Sequence, residues 1–71
     1  MELRSQMAGT VFEIPVKEGE SVTAGQTVII IESMKMEIPF EAEEDGVISK
    51  VHVAEGDFVN EDDLLITFAA K

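Results

Sequence analysis

With 71 residues, no cysteine and one histidine, His52, the chain has no disulfide staple, no thiol nucleophile and no cysteine-based metal site. Fifteen acidic residues against five basic ones give a net charge of −10. That balance excludes nucleic acid and anionic membrane surfaces as expected partners, because both are bound through clustered Lys and Arg.

A hydrophobic content of 45% predicts a folded chain, organised as a single domain over residues 1–71. Like charge of this size favours a soluble monomer in isolation. The N-terminal MELRSQMAG has no apolar core of signal-peptide length. The longest unbroken apolar run, Val28–Ile31, is far shorter than the roughly 20 residues of a membrane helix. A cytoplasmic location is the resulting expectation.

In chain order, Phe12, Ile14 and Val16 alternate with Val11, Glu13 and Pro15, which predicts a half-buried strand. Gly19, between Glu18 and Glu20, predicts a tight turn. Val28–Ile31 is short, branched and unbroken, the pattern of a more fully buried strand. Ser33-Met34-Lys35-Met36 separates it from a second apolar segment, Ile38–Phe40, and the two predict a hairpin with Lys35 at its turn. Val47, Ser49, Val51 and Val53 then alternate with Ile48, Lys50 and His52. Gly56 predicts a second tight turn, and Leu64–Ile66 a second buried strand. No segment carries a sustained helical period, so the class is all-β.

The two halves are one motif written twice. A shift of 37 residues lays Gly9 on Gly46, Val16 on Val53, Glu18-Gly19 on Glu55-Gly56, Val22 on Val59 and Val28-Ile29 on Leu65-Ile66. Each copy carries about four short strands. Two small sheet units can cover each other's apolar faces, which neither could bury alone. The expectation is pseudo-twofold symmetry, with Ser33–Met36 near the axis at one end and Met1 and Lys71 together at the other. Gly25 falls opposite Asp62, so a positive φ at Gly25 implies the same turn at Asp62, at some cost.

Of the four lysines, only Lys35 lies between methionines. A turn lysine is ordinarily a solvated charge, and a turn methionine ordinarily folds back onto its barrel. The position of Lys35 at the centre of a repeat sets it apart. Met34-Lys35-Met36 between two strands of a duplicated β unit resembles the biotin-attachment motif of biotinyl domains. Its usual form is Ala-Met-Lys-Met, and Ser33 stands at the first position here. The resemblance runs from about Glu2 to Phe68 and includes Gly9, Glu18-Gly19, Glu32, Gly46 and Glu55-Gly56-Asp57.

The resemblance implies a flattened eight-stranded barrel-sandwich hybrid of two pseudo-twofold-related halves. It implies a biotin carboxyl carrier in which a biotin protein ligase forms biotinyl-AMP and acylates Lys35. The biotin then moves carboxylate from a biotin carboxylase to a carboxyltransferase, and the carrier catalyses neither step. By the same resemblance Met34 and Met36 contact ligase or biotin, while Glu32, Ser33 and Glu37 face the ligase.

The division of labour has a physical basis. A free lysine amine titrates near 10.4, so at pH 7 roughly one in a few thousand is neutral. The amine therefore needs an activated acyl donor and a base from another protein.

Two other readings compete. A lipoyl carrier, modified with lipoate on the same lysine by lipoyl-modifying enzymes, shares the fold but typically reads Asp-Lys-Ala at the turn. An unmodified binding module would be favoured by loss of the lysine or its methionines, and all three are present. No nucleophile–base pair suggests an enzyme. Glu61-Asp62-Asp63 lacks the spacing and glycine of a calcium loop, so no metal is expected. His52, matching Pro15, reads as surface. Ile14 to Val22 leaves no room for the inserted thumb of bacterial acetyl-CoA carboxylase carriers. The chain is thus more similar to the carriers of multidomain carboxylases or to small free-standing attachment proteins.

Overall fold

The computed structural model describes residues 1–70, and eight strands account for its regular structure. They are β1 (Glu2–Arg4), β2 (Gly9–Glu13), β3 (Ser21–Val22), β4 (Thr27–Ser33), β5 (Met36–Glu41), β6 (Gly46–Val51), β7 (Phe58–Val59) and β8 (Leu64–Ala69). They form two four-stranded antiparallel sheets, β1-β8-β6-β3 and β5-β4-β2-β7. This is the flattened two-sheet, all-β architecture expected. The 37-residue shift carries each strand order onto the other, so the repeat is a pseudo-twofold in space.

The copies do not pack as two separate sheet units, however. Each sheet takes two strands from the first copy and two from the second. The loops explain this interleaving. Gly19 N donates to Ile48 O at 2.7 Å, and Gly56 N donates to Val11 O at 2.8 Å, each crossing to the other copy. Glu18 Oε2 accepts from Val51 N at 2.9 Å, and Glu55 Oε2 accepts from Ile14 N at 3.1 Å. The repeated Glu-Gly therefore has two functions. Glycine permits φ of 90° and 94° at positions 19 and 56, and glutamate ties its turn to the opposite copy. Asp62 has φ 76°, matching 88° at Gly25, as the repeat requires.

The strand faces differ from simple alternation. Val11 is buried and Phe12 is exposed, the reverse of one apolar face through Phe12, Ile14 and Val16. The register slips between Val11 and Glu13 in β2, and between Ile48 and Lys50 in β6. One extra residue at each place, Phe12 or Ser49, shifts the phase of the side chains that follow. A similar slip lies between Thr27 and Ile29, opposite β5, and lets Val28 and Ile29 both face inward. Consecutive burial in that segment comes from a bulge, and Ile30 remains only half-buried.

The core lies between the sheets. Ile29, Ile31, Ile48, Leu65 and Ile66 are fully buried, and each such side chain stabilises by about 1.5–3 kcal/mol. With extents of 34 × 19 × 17 Å, the barrel is elongated.

The hairpin does not lie on the symmetry axis. Its β4–β5 register, Ile30 opposite Pro39, maps onto Glu2 opposite Thr67 in β1–β8. The twofold therefore exchanges the hairpin with the paired β1 and β8, beside which Met1 O accepts from Phe68 N at 2.8 Å. The hairpin is off the axis on one side and Met1 is on the other. Lys71, the other terminus of that expectation, lies outside the described residues.

Candidate functional site

The chain turns from β4 to β5 through two residues, Met34 and Lys35, with Ser33 opposite Met36. Both central residues have positive φ, 52° and 65°. This is the signature of the hairpin turn whose twist matches its strands, a turn that normally takes Asn-Gly. An ordinary L-residue is disfavoured in that conformation by roughly 1–2 kcal/mol. Two such residues in succession, where Asn-Gly would be easy, make this turn the candidate site on backbone grounds.

The base of the hairpin is tightly held. Gly9 opens β2 against β4, and a Cβ there would lie 2.6 Å from Glu32 O and 2.7 Å from Ile31 Cγ2. Only glycine lets β2 approach this closely. The strand carrying Glu32 is thereby fixed three residues from Lys35.

Beyond that base the turn stands in solvent. Met34 is 92% exposed and Met36 64%. Neither folds back onto the barrel, so their ordinary packing role is excluded by geometry. Lys35 is also exposed, and Arg4–Glu2 is the one ion pair among the described residues. The Lys35 side chain is thus open to a reagent arriving from solvent.

The hairpin also gathers the three other candidates. Glu32 and Glu37 lie directly opposite each other on β4 and β5, both exposed. Like charges in facing positions destabilise a strand pair. Ser33 is half-buried at the end of β4.

An open cleft of about 380 Å³ runs from Lys35 and Met34 past Glu32 and Thr10 to Phe58. Phe58, which no local sequence pattern marks, lies on a strand of only two residues and is 66% exposed. The signal available was its repeat partner, Ser21, since a phenylalanine opposite a serine is no requirement of the shared fold.

The remaining candidates lie elsewhere. His52 is exposed just past the end of β6, with Nε2 2.7 Å from Thr67 Oγ1 on β8, in the sheet that lacks the hairpin. In the Glu61-Asp62-Asp63 loop, Asp63 Oδ2 accepts from Asn60 N at 2.8 Å. Gln26 makes the same turn bond to Thr23 N in the other copy, so this is turn chemistry.

A family model described as "Biotin-requiring enzyme" matches residues 1–68. A biotin/lipoyl attachment protein of Bacillus subtilis (strain 168) is 48% identical over 66 residues, covering 93% of this chain and 90% of that protein. The solved structure of a single-chain, multi-domain long-chain acyl-CoA carboxylase superposes with a TM-score of 0.94 at 34% identity. It covers all of this chain, which spans only 7% of the carboxylase. The lipoyl domain of the 2-oxoglutarate dehydrogenase complex from Azotobacter vinelandii superposes at 0.85 with 29% identity, covering 97% of this chain and 95% of that one. A match over nearly the whole length, on a barrel whose exposed hairpin carries Lys35, makes the chain a member of the biotin/lipoyl attachment family.

Proposed function

We propose that the chain is a biotin carboxyl carrier, covalently modified on Lys35. The observation that carries this reading is the hairpin: Lys35 stands at positive φ on a two-residue turn, flanked by exposed Met34 and Met36. The family supports biotin as the group, and similarity to a segment of an acyl-CoA carboxylase supports carboxylation as its use. Attached biotin supplies a ring that accepts and releases carboxylate.

The chain's own contribution is presentation. Lys35 Nζ is the nucleophile, and the rigid base at Gly9 and Glu32 limits the positions it reaches. No neighbouring residue forms a proton-accepting pair with it, so a biotin protein ligase supplies the acyl donor and the base. The carrier catalyses neither ligation nor carboxylation. Its partners are that ligase, a biotin carboxylase and a carboxyltransferase. Tethering raises the effective concentration of the carried group at each site.

Intact mass after incubation with biotin, ATP and a biotin protein ligase tests the reading. Wild type should gain one biotin, and Lys35→Arg none. Biotin retained in the variant would move the site to Lys17, Lys50 or Lys71. A lipoyl adduct formed in cells supplied with both cofactors, with no biotin adduct, would replace biotin by lipoate.

A further inference from the structure

The pseudo-twofold supplies an internal control for the surface. Both sheets share one backbone plan, so an outward residue needed for folding should be of the same kind in both copies. The outer face of the hairpin-bearing sheet departs from that expectation. It carries Phe12, Ile30, Pro39 and Phe58 where the other sheet carries Ser49, Thr67, Glu2 and Ser21. The second face is not wholly polar, since Val47 and Ala69 lie on it opposite Thr10 and Glu32 of the first. The exposed aromatic residues nonetheless belong to one face, with Phe12 47% and Phe58 66% exposed, while Phe40 and Phe68 are buried in the core.

Charge divides in the same way. The strands of the hairpin-bearing sheet carry Glu13, Glu32, Glu37 and Glu41 and no cation, while Arg4 and Lys50 lie on the other. Glu32 and Glu37 face each other at the cost of mutual repulsion, and the repeat partner of Glu32 is uncharged Ala69. Folding alone favours neither feature. Exposed aromatic side chains ringed by like charge are the usual composition of a binding surface.

We infer that this face, from Lys35 along the cleft to Phe58 and on to Phe12, is the docking surface for the enzyme that acylates Lys35. That enzyme should present an apolar hollow for Phe58 bordered by Lys and Arg. The cleft joins Phe58 directly to Met34 and Lys35, so the surface is continuous with the reacting amine. Reach selects the acylating enzyme among possible partners. It must bring the Lys35 amine itself to the acyl carbon, and therefore presses against the barrel within one lysine stem. An enzyme acting on the far end of a finished arm has no such need. A second copy of the chain is disfavoured by the net charge of −10.

The inference rests on Lys35 being the acylated residue, and the experiment separates the two. Biotin ligation is measured as kcat and KM for the full chain with a biotin protein ligase, biotin and ATP. The variants are Phe58→Ser and Phe12→Ser/Phe58→Ser, which install the serines that the other copy already tolerates. KM should rise about tenfold in the double variant with kcat nearly unchanged, the scale of losing an interface aromatic. Ser21→Phe and Ser49→Phe on the opposite sheet should leave KM unchanged. Added salt should raise the wild-type KM, because screening weakens the acidic rim. Wild-type KM in a double variant whose melting curve shows it folded overturns the docking surface and leaves the Lys35 reading intact. An equal rise from the opposite-sheet variants also overturns it. Wild-type chain that takes no biotin at all refutes the Lys35 reading itself.

Discussion

Replacing Met34 by asparagine should stabilise the fold while harming modification. Met34 occupies φ 52° at the first central position of a turn suited to Asn-Gly. An ordinary residue pays roughly 1–2 kcal/mol there, and asparagine, whose short polar side chain bonds locally, recovers about 1 kcal/mol. The substitution loses little packing. Met34 is 92% exposed, so less than a tenth of the roughly 1.5–3 kcal/mol of a fully buried methionine is at stake, about 0.2 kcal/mol. The net gain is about 0.8 kcal/mol. In a domain of this size 1 kcal/mol moves Tm by about 4–8 °C, so the expected rise is about 3–6 °C. Thermal melts followed by circular dichroism measure it, with Met34→Ala as the control. Alanine removes the same side chain but gains nothing at positive φ. Ligation by a biotin protein ligase should fall in the asparagine variant although it is the more stable protein. An asparagine variant melting no higher than the alanine one would show that the turn stores no strain.

Gly9→Ala should destabilise by about 1–3 kcal/mol in urea melts, because its Cβ meets Glu32 O at 2.6 Å, and ligation should weaken as the hairpin base shifts. Gly46→Ala, with 3.0 Å to Ala69 O, should be milder, and equal midpoints for the two would contradict this account of Gly9. Gly19→Val and Gly56→Val each have open space around the added Cβ, so a loss of about 1 kcal/mol or more should come from positive φ alone; unchanged Tm in both would exclude that origin. Asp62→Gly should gain about as much, and Gly25→Asp should lose it, since the two positions share one turn at φ 76° and 88°. Stability changes of the same sign in this reciprocal pair would break the equivalence.

The parts of the fold that were legible in the sequence are those set by local chemistry. Glycine after glutamate marked both tight turns, the repeat transferred the Gly25 turn to Asp62, and apolar runs around Met34-Lys35 marked the hairpin. The faces of β2 and β6 were not legible. A period-2 pattern assumes one residue per pleat, and the extra residue at Phe12 or Ser49 changes the phase without altering composition. Interleaving was hidden for a different reason. Whether Glu18 caps its own copy or the other depends on contacts between residues 33 apart, as in its bond to Val51, and no local pattern encodes that choice. At the site, Lys35 and its neighbours were readable because they are contiguous. Phe58 joins them only through the pairing of β7 with β2, Thr10 opposite Phe58.

The duplication also shows which features of the hairpin the fold does not require. Wherever both copies carry the same solution, such as Glu-Gly turns crossing to the other half or paired bulges after Val11 and Ile48, the backbone needs it. The twofold lays the β4–β5 pair on β8 and β1, so among the described residues the repeat supplies no second copy of the Lys35 turn. The strained turn, the facing glutamates and the exposed methionines and phenylalanines therefore all lie where the symmetry breaks, and all surround one lysine. Each carries a stability cost or leaves apolar surface in water, and the docking proposed for this face would offset it.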